Sequence, residues 1–281
     1  MHGMHARLPR NFVLEERLNR YADAIELEPC SYAGMWARAC WPLPRDCDEL
    51  GATGFEEVRL DLGCGKGAFV VEAAKRSPHV LFLGMDAEPL CIAYTAQHIM
   101  EADLCNAVVI PGKGSLVPTA FGAGELSCIY LNFPTPYPRK KEAHKRLVIL
   151  ERLLEYRTAL RAGGTVRLRT DSQPLRDFAA TQFELAGYDV VWASDNARHD
   201  HPHDPASEYE QRLAAQGAKV YAIWATPGDA ELPGHIEQTA SLSLVDYLPD
   251  DLFADGYVPH GMGGAITNLR NRRKNAQLRQ R

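Results

Sequence analysis

The sequence predicts an α/β fold: a seven-stranded, mostly parallel sheet with an antiparallel last strand and helices on both faces. From about residue 57, short apolar runs alternate with helical patterns, which is typical of parallel strands joined by crossover helices. A cluster of glycines separates the first apolar run from the first of these helices. The last two apolar runs have only a polar segment and a short amphipathic stretch between them, which favours an antiparallel ending.

Each element follows from the spacing of the apolar residues. "FVLEERLNRYADAIEL" predicts an N-terminal helix. The predicted strands are, in chain order, "VRLDLG", "VLFLGMD", "NAVVIPG", "LSCIYLNF", "TVRLRTD", "YDVVWASD" and "AKVYAIWAT". The helices between them are "AFVVEAAKRS", "PLCIAYTAQHIMEADL", "KRLVILERLLEYRTALRAGG" and "QPLRDFAATQFELAG". Pro89 fits the first turn of the second of these helices, and Gly163 with Gly164 predicts the end of the third.

The length and composition favour one globular domain with extensions. We expect the domain at residues 56–226, a helical and loop extension at 1–55, and a C-terminal extension with a basic tail at 227–281. No apolar run has the length of a membrane span or a signal peptide, so we expect a cytoplasmic protein without a membrane partner. A monomer is favoured over an obligate oligomer. The seven cysteines form no CxxC pair and are predicted to be reduced and mostly buried.

Charge is distributed unevenly along the chain. The net charge is −5, yet residues 268–281 carry six positive and no negative charges. This tail is consistent with either a disordered RNA-binding arm or a solubilising end.

The glycine cluster "LDLGCGKGAF" predicts a ligand site at the carboxyl end of the first strand. Its GxGxG spacing is one residue shorter than the dinucleotide fingerprint, and the Walker A pattern is absent. Asp86 closes the second strand, where a carboxylate can bind two ribose hydroxyls, and Asp61 is placed to accept from a ligand amino group. The pattern favours S-adenosylmethionine, which carries no phosphate. NAD and a purely structural tight turn are the two alternatives.

A second candidate site lies in "LNFPTPYPRKKEAHKRL", residues 131–147, where a strand ends in Asn132 and three prolines precede a dense basic block. The block contains five basic residues and one acid, Glu142. Positive charge is unfavourable at the start of a helix. We therefore predict contact with RNA phosphates rather than a solvated helix start. The basic residues are Arg139, Lys140, Lys141, Lys145 and Arg146.

Taken together, these segments resemble the tRNA (guanine-N7)-methyltransferase family over roughly residues 57–226. "LDLGCGKG" is similar to its cofactor loop, and "FLGMDA" to its second strand. "IYLNFPTPYPRKKEAHKRL" resembles its most distinctive segment, "VRLRTD" its Thr-Asp strand, and "SEYEQRLAAQGAKVYAIWA" its Thr-x-x-Glu segment. The resemblance implies a Rossmann-like methyltransferase fold and transfer of a methyl group from S-adenosylmethionine to N7 of a guanine in tRNA.

The resemblance also implies roles for individual residues. It implies cofactor contacts for Asp61, Gly63, Gly65, Gly67, Asp86 and Asn132. It implies substrate contacts for Arg139, Asp171, Ser207, Glu208, Tyr209 and Glu210, and the basic block adds Lys140 and Lys141. The candidate catalytic residues are Thr135, at the position of the family's Asp, and the carboxylates Asp171 and Glu210. Thr135 and Tyr137 stand where the family has the Asp and Trp of Asp-Pro-Trp, and Lys113 lies in a loop where the family usually has an acid.

The replacement of a family carboxylate by Thr135 leaves alternatives open. Guanine N7 carries no proton, so the reaction needs alignment of nitrogen, methyl and sulfur more than it needs a base. Loss of one stabilising carboxylate lowers the rate by about 10²–10³, by analogy with the loss of one preorganised electrostatic contact. The alternatives are a catalytically impaired RNA- or cofactor-binding homologue, and a methyltransferase acting on another RNA or a small molecule.

The His- and Asp-rich stretch "RHDHPHD", residues 198–204, matches no zinc spacing. We predict no metal site there and interpret it as a solvated loop near the strand ends.

Overall fold

A computed structural model describes residues 13–39, 54–253 and 256–279, apart from the side chains of Ala39, Glu208, Gln277 and Arg279. Parts of both predicted extensions therefore lie outside the described residues. Within the described ranges no helix is long and apolar enough to cross a bilayer.

The predicted seven-stranded sheet is confirmed. Its order is β3-β2-β1-β4-β5-β7-β6, and β7 pairs antiparallel with both β5 and β6 while the other neighbouring strands pair in parallel. The strands are β1 (Glu57–Leu62), β2 (Val80–Asp86), β3 (Ala107–Pro111), β4 (Leu126–Asn132), β5 (Leu160–Thr170), β6 (Tyr188–Ser194) and β7 (Tyr221–Pro227).

Helices cover both faces of this sheet. They are α1 (Leu14–Arg20), α2 (Trp36–Ala39), α3 (Ala68–Arg76), α4 (Pro89–Glu101), α5 (Val117–Ala120), α6 (Leu150–Ala159), α7 (Gln173–Leu185), α8 (Ala197–Asp200), α9 (Glu208–Ala215) and α10 (Gly263–Arg279). Successive residues of a strand point to opposite faces. Accordingly Leu81 and Leu83 of β2 join the core shared with α6 and α7, and Phe82 joins the core shared with α3 and α4.

Two predicted helices have different limits in the structure. The N-terminal helix ends at Arg20, and after a 3-10 turn at Ala22–Ala24 the chain bridges from Ile25 to Val109, covering the β3 edge. The helix expected to end at Gly163 begins at Leu150 and ends at Ala159, so Gly163 and Gly164 lie inside β5. A Cβ on Gly164 would lie 2.9 Å from the Arg161 carbonyl oxygen, so close backbone packing in the strand requires glycine there.

The C-terminal extension packs against the main core. Leu244, Leu252, Met262 and Ile266 are buried in the cluster that also holds the inner residues of β4 and β5. Leu244 belongs to a 3-10 turn at Leu244–Tyr247, and its backbone N–H donates to the carbonyl of Pro138. The extension therefore contacts the segment that follows β4.

The cysteine prediction is only partly confirmed. Cys30, Cys64, Cys91 and Cys128 are free, but Cys30 is exposed and Cys64 and Cys91 are half-buried. Cys105 is disulfide-bonded, so the expectation of reduced thiols is wrong for Cys105. Cys40 and Cys47 lie outside the described residues.

Candidate active site

The carboxyl ends of β1, β2, β4 and β5 meet at one rim of the sheet because these strands run in parallel. Asp61 pairs with Gly84 of β2 and Tyr130 of β4, and Asn132 pairs with Arg169 of β5. The rim therefore brings together the predicted glycine loop, the two predicted acids and the proline-rich segment. It forms the candidate active site.

The glycine loop at this rim is an open, left-handed turn. Gly63, Gly65 and Gly67 all have positive φ, at 80°, 57° and 78°. A Cβ on Gly65 would meet nothing within 4 Å, so a ligand can approach the backbone there, whereas a Cβ on Gly67 would lie 2.5 Å from the Thr95 side chain. Gly65 thus suits contact with a ligand, and Gly67 is required for packing against α4.

Two carboxylates flank the loop: Asp86 bonds it, and Asp61 bonds the end of β4. The Asp86 carboxylate accepts from the Gly65 N–H and the Glu88 N–H, each at 2.9 Å, and burial raises its pKa. Asp61 is almost fully buried, and its Oδ1 accepts from Asn132 Nδ2 at 3.0 Å. Burial raises the pKa of Asp61 to about 7, the Asn132 hydrogen bond lowers it, and repulsion from Asp86 raises it. A cationic ligand beside Asp61 would favour its ionised form.

The segment after β4 makes a strained turn on the same rim. Phe133 and Tyr137 have φ of 51° and 45°, a region that non-glycine residues rarely adopt. The Phe133 N–H donates to the Arg169 carbonyl at 2.7 Å, which fixes the start of the turn. Thr135 at its centre is exposed, and Pro136 is buried. The turn directly follows Asn132, which bonds Asp61, so it begins at the same rim as the glycine loop.

The basic block divides into exposed and buried members. Arg139, Lys140 and Lys141 are exposed, consistent with the prediction of a polyanion contact. Lys145 is also exposed and lies 3.8 Å from Glu142. Residues Lys140–Lys145 form a 3-10 helix rather than the start of an α-helix.

Arg146 differs from the prediction, because it is buried inside the protein. It is 1% exposed and donates to the carbonyls of Pro136, Tyr137 and Leu242. Its guanidinium lies 4.4 Å from the centre of the Phe178 ring, and burial lowers its pKa to about 10. Arg146 therefore fixes the proline turn and the C-terminal extension, and its expected contact with phosphates is wrong.

Asp171, directly after β5, is bound by the C-terminal extension. It is 7% exposed, and its Oδ2 accepts from Tyr257 Oη and the His260 N–H, both at 2.8 Å. Burial and the Asp171 charge raise the pKa of Tyr257. Sequence reasoning missed both partners, because "DGYVPHG" has no periodicity that marks it as part of a site.

The predicted substrate segment at 207–210 begins α9. Ser207 Oγ accepts from the Glu210 N–H at 3.1 Å and caps the helix. The Tyr209 ring lies 5.5 Å from Phe133 and 6.1 Å from His260, so it joins the proline turn to the extension, and burial raises its pKa to about 12. The Glu208 side chain lies outside the described part of the structure.

Glu210 is buried in an arginine pair rather than lining an open crevice. Its Oε1 accepts from Arg198 Nη2 at 2.6 Å, and its Oε2 lies 3.7 Å from Arg169 Nη1. Arg169 in turn donates to Asp204 at 2.7 Å. Glu210 therefore holds the loop at 198–204 against β5, and its catalytic role stays a prediction.

The histidine-rich loop is fixed by arginines and aromatic rings. The His201 ring lies 5.5 Å from the Trp224 ring and 4.9 Å from the Trp192 ring. Arg76 donates to the His203 carbonyl. Among the described residues, no group of His, Cys, Asp and Glu is placed so that it could hold a metal ion.

A cavity of about 210 Å³ lies beside Asn132, and sequence reasoning missed it. Its lining includes Arg59, Tyr130, Arg167 and Trp224, which β1, β4, β5 and β7 bring together. Arg167 stacks 4.2 Å from the centre of the Trp224 ring. These residues are far apart in the chain, so only the strand register reveals the cluster.

The comparisons with known proteins agree with this arrangement. Residues 56–223 match the family model described as "Putative methyltransferase". A curated tRNA (guanine-N(7)-)-methyltransferase of Limosilactobacillus reuteri (strain DSM 20016) is 32% identical over 170 residues, which is 60% of this chain and 80% of that protein. The chain belongs to the tRNA (guanine-N7)-methyltransferase family.

Two further matches set the limits of the resemblance. The family member of Streptococcus equi subsp. zooepidemicus (strain MGCS10565) is 27% identical over 214 residues, covering 95% of that protein but 75% of this chain. A solved structure of the 16S rRNA methyltransferase KamB superposes with a TM-score of 0.50 at 15% identity, covering 62% of this chain and 89% of that one. The Streptococcus match shows that this chain carries residues beyond the segment that the two proteins share. The KamB match supports the fold alone.

The loop after β3, where the resemblance implies an acid, carries Lys113 in this chain. Lys113 is exposed, and the preceding Gly112 N–H donates to the Asp86 carbonyl at 2.9 Å. The loop thus lies beside the predicted ribose-binding acid, with the opposite charge to the one expected.

Proposed function

We propose that this protein transfers a methyl group from S-adenosylmethionine to N7 of a guanine in tRNA. The observation that carries the proposal is the hydrogen bond from Asn132 to Asp61. It joins the family's most distinctive segment to the strand that leads into the glycine loop. Both segments therefore start from the same rim, and we infer that the proline turn and the glycine loop share one crevice.

The residues present fit S-adenosylmethionine. The open backbone at Gly65 admits a ligand, and Asp61 with Asp86 gives the crevice two acids beside it. We assign Asp61 to the cofactor's ammonium group and Asp86 to its ribose hydroxyls. The protein backbone at Gly63 and Gly65 would lie along the cofactor, and Asn132 would lie near the methyl group. When bound, the cofactor supplies an activated methyl group on a cationic sulfur, and an acidic crevice suits that charge.

The substrate side of the crevice is basic and exposed. Arg139, Lys140 and Lys141 follow the proline turn and project from the rim, which suits phosphates on both sides of a guanine in the crevice. Asp171, directly after β5, and Tyr209, whose ring lies 5.5 Å from Phe133, are our candidates for contact with the base. Chemistry at guanine N7 requires no proton removal, so a Thr at position 135 is compatible with turnover at a reduced rate.

Incubating the purified chain with a tRNA transcript and methyl-labelled S-adenosylmethionine tests the proposal. We expect labelled tRNA from the wild type and a raised KM for tRNA in a Lys140→Gln/Lys141→Gln variant. Lys75→Gln, an exposed lysine at the opposite rim, is the control and should keep the wild-type KM. Absence of label on any tRNA, with cofactor binding intact, would favour a homologue impaired at Thr135.

We also propose how the chain is organised. The methyltransferase unit spans residues 56–226, with extensions at 1–55 and 227–281, and the protein acts as a cytoplasmic monomer. The family match at residues 56–223 supports the limits of the unit. Size-exclusion chromatography with light scattering tests the oligomeric state.

A further inference from the structure

The C-terminal helix α10 is anchored beside the candidate active site. Met262 and Ile266 are fully buried in the main core, and Leu269 packs against it half-buried, at the i, i+4, i+7 spacing of one helix face. Just before the helix, the His260 N–H donates to Asp171, and a Cβ on Gly261 would lie 3.0 Å from Pro136. The first turns of α10 are thus fixed to the proline turn and the end of β5.

Beyond Leu269 the helix leaves the body of the protein. Every side chain described from Arg270 to Leu278 is exposed. At a rise of about 1.5 Å per residue, a stretch of this length projects by roughly 13 Å. No side chain described in this stretch is buried, so core packing does not account for it.

The projecting part is basic and lacks acidic residues. The whole helix contains Arg270, Arg272, Arg273, Lys274 and Arg279 and no Asp or Glu. Arg270 is spaced i,i+3 from Arg273 and i,i+4 from Lys274, and like charges at this spacing repel each other. The Arg270 and Arg273 guanidinium groups also donate to carbonyls of residues 250–253, which holds them at the root of the arm. A polyanion would relieve this repulsion.

We propose that α10 is an arm that binds the phosphate backbone of the tRNA, at a site separate from the basic block at 139–141. This inference rests on the proposed function, since it assumes that tRNA is the substrate. Charge complementarity and attachment to the active-site rim favour nucleic acid over other partners. A solubilising role is disfavoured because the remainder of the chain already carries a net negative charge.

The test is a titration of labelled tRNA transcript with the full chain at 50, 100 and 200 mM KCl. The variant is Arg272→Gln/Lys274→Gln, two exposed residues at the projecting end of the helix. Loss of two phosphate contacts reduces the slope of log K against log salt by about 2. Over this fourfold salt range, wild-type affinity should therefore fall about tenfold more than variant affinity.

The matched control is Lys75→Gln/Arg161→Gln, which removes two exposed charges at the opposite rim and should keep the wild-type slope. An arm variant with the wild-type slope and affinity overturns the proposal, and so does an equal loss in the control. If the wild type methylates tRNA while the arm variant binds normally, only the arm is refuted. If the wild type neither binds nor methylates tRNA, both the arm proposal and the proposed function are refuted. Circular dichroism verifies that the variants keep their helix content.

Discussion

Replacing Asp61 by Asn should stabilise the ligand-free protein at alkaline pH while weakening its binding of S-adenosylmethionine. Asp61 is 2% exposed, and burial is the largest cause of its raised pKa of about 7. Asn has the same shape and keeps an oxygen that accepts from Asn132 Nδ2. The substitution therefore removes the buried charge and retains the hydrogen bond at 3.0 Å.

The pKa shift of Asp61 sets the size and direction of this effect. An acid whose folded-state pKa is raised contributes stability that is present below about pH 4 and is lost as pH rises through about 7. Between pH 5 and pH 8 the wild type should lose roughly 2–3 kcal/mol of unfolding free energy through this group, and Asp61→Asn should lose none of it. The stability of the variant relative to wild type should rise by that amount.

Urea unfolding at pH 5 and pH 8 without cofactor measures the difference, with the exposed Asp229→Asn as control. Calorimetric titration with S-adenosylmethionine then measures the affinity, which should fall in Asp61→Asn alone. A stability difference that does not change with pH would refute the assignment of a buried, weakly ionised carboxyl at this position. Unchanged cofactor affinity would refute its contact with the ligand.

Three further predictions test other parts of the site. Arg146→Met should lower the free energy of unfolding by about 2–5 kcal/mol, because it leaves buried carbonyls without a donor; an unchanged urea midpoint would contradict this. Thr135→Asp should raise kcat for tRNA methylation by about 10-fold or more, since a carboxylate would stabilise the charge that develops on the guanine, and equal or lower turnover would count against that role. Tyr257→Phe should leave Asp171 with one donor fewer and reduce kcat, with cofactor affinity unchanged; wild-type kcat would mean that the extension does not position Asp171.

The strand ends could be predicted from the sequence, because they depend on local patterns. Apolar runs with a defined period mark the strands, and parallel pairing then places their ends at one rim. Accordingly Asp61, Asp86 and Asn132 lie at the carboxyl ends of β1, β2 and β4, as the pattern predicts. The GxGxG spacing is also a local pattern, so it predicts the tight turn after β1.

Other features depend on contacts between distant residues and could not be predicted. The basic block looks uniform in the sequence, yet Arg146 is buried and donates to the carbonyls of Pro136, Tyr137 and Leu242. The α-helix begins only at Leu150. Gly163 and Gly164 resemble a helix end, but both lie inside β5, where a Cβ on Gly164 would lie 3.1 Å from the Leu126 carbonyl oxygen of β4.

The C-terminal extension was missed as part of the site for a related reason. Its contacts to Asp171 come from one hydroxyl and one backbone N–H in a segment without periodicity. The sequence shows the charge of the basic tail but not where the tail is anchored. The anchoring at the rim follows from the burial of Met262 and Ile266, which depends on contacts with distant residues.

Nucleoside mass spectrometry of tRNA after incubation with the wild-type chain and S-adenosylmethionine tests the shared crevice most directly. We predict 7-methylguanosine in the digest, and its loss in a variant carrying Asn132→Ala, which breaks the link between the proline turn and Asp61. Methylation of another base or another atom, or undiminished 7-methylguanosine in the Asn132→Ala variant, would contradict the account.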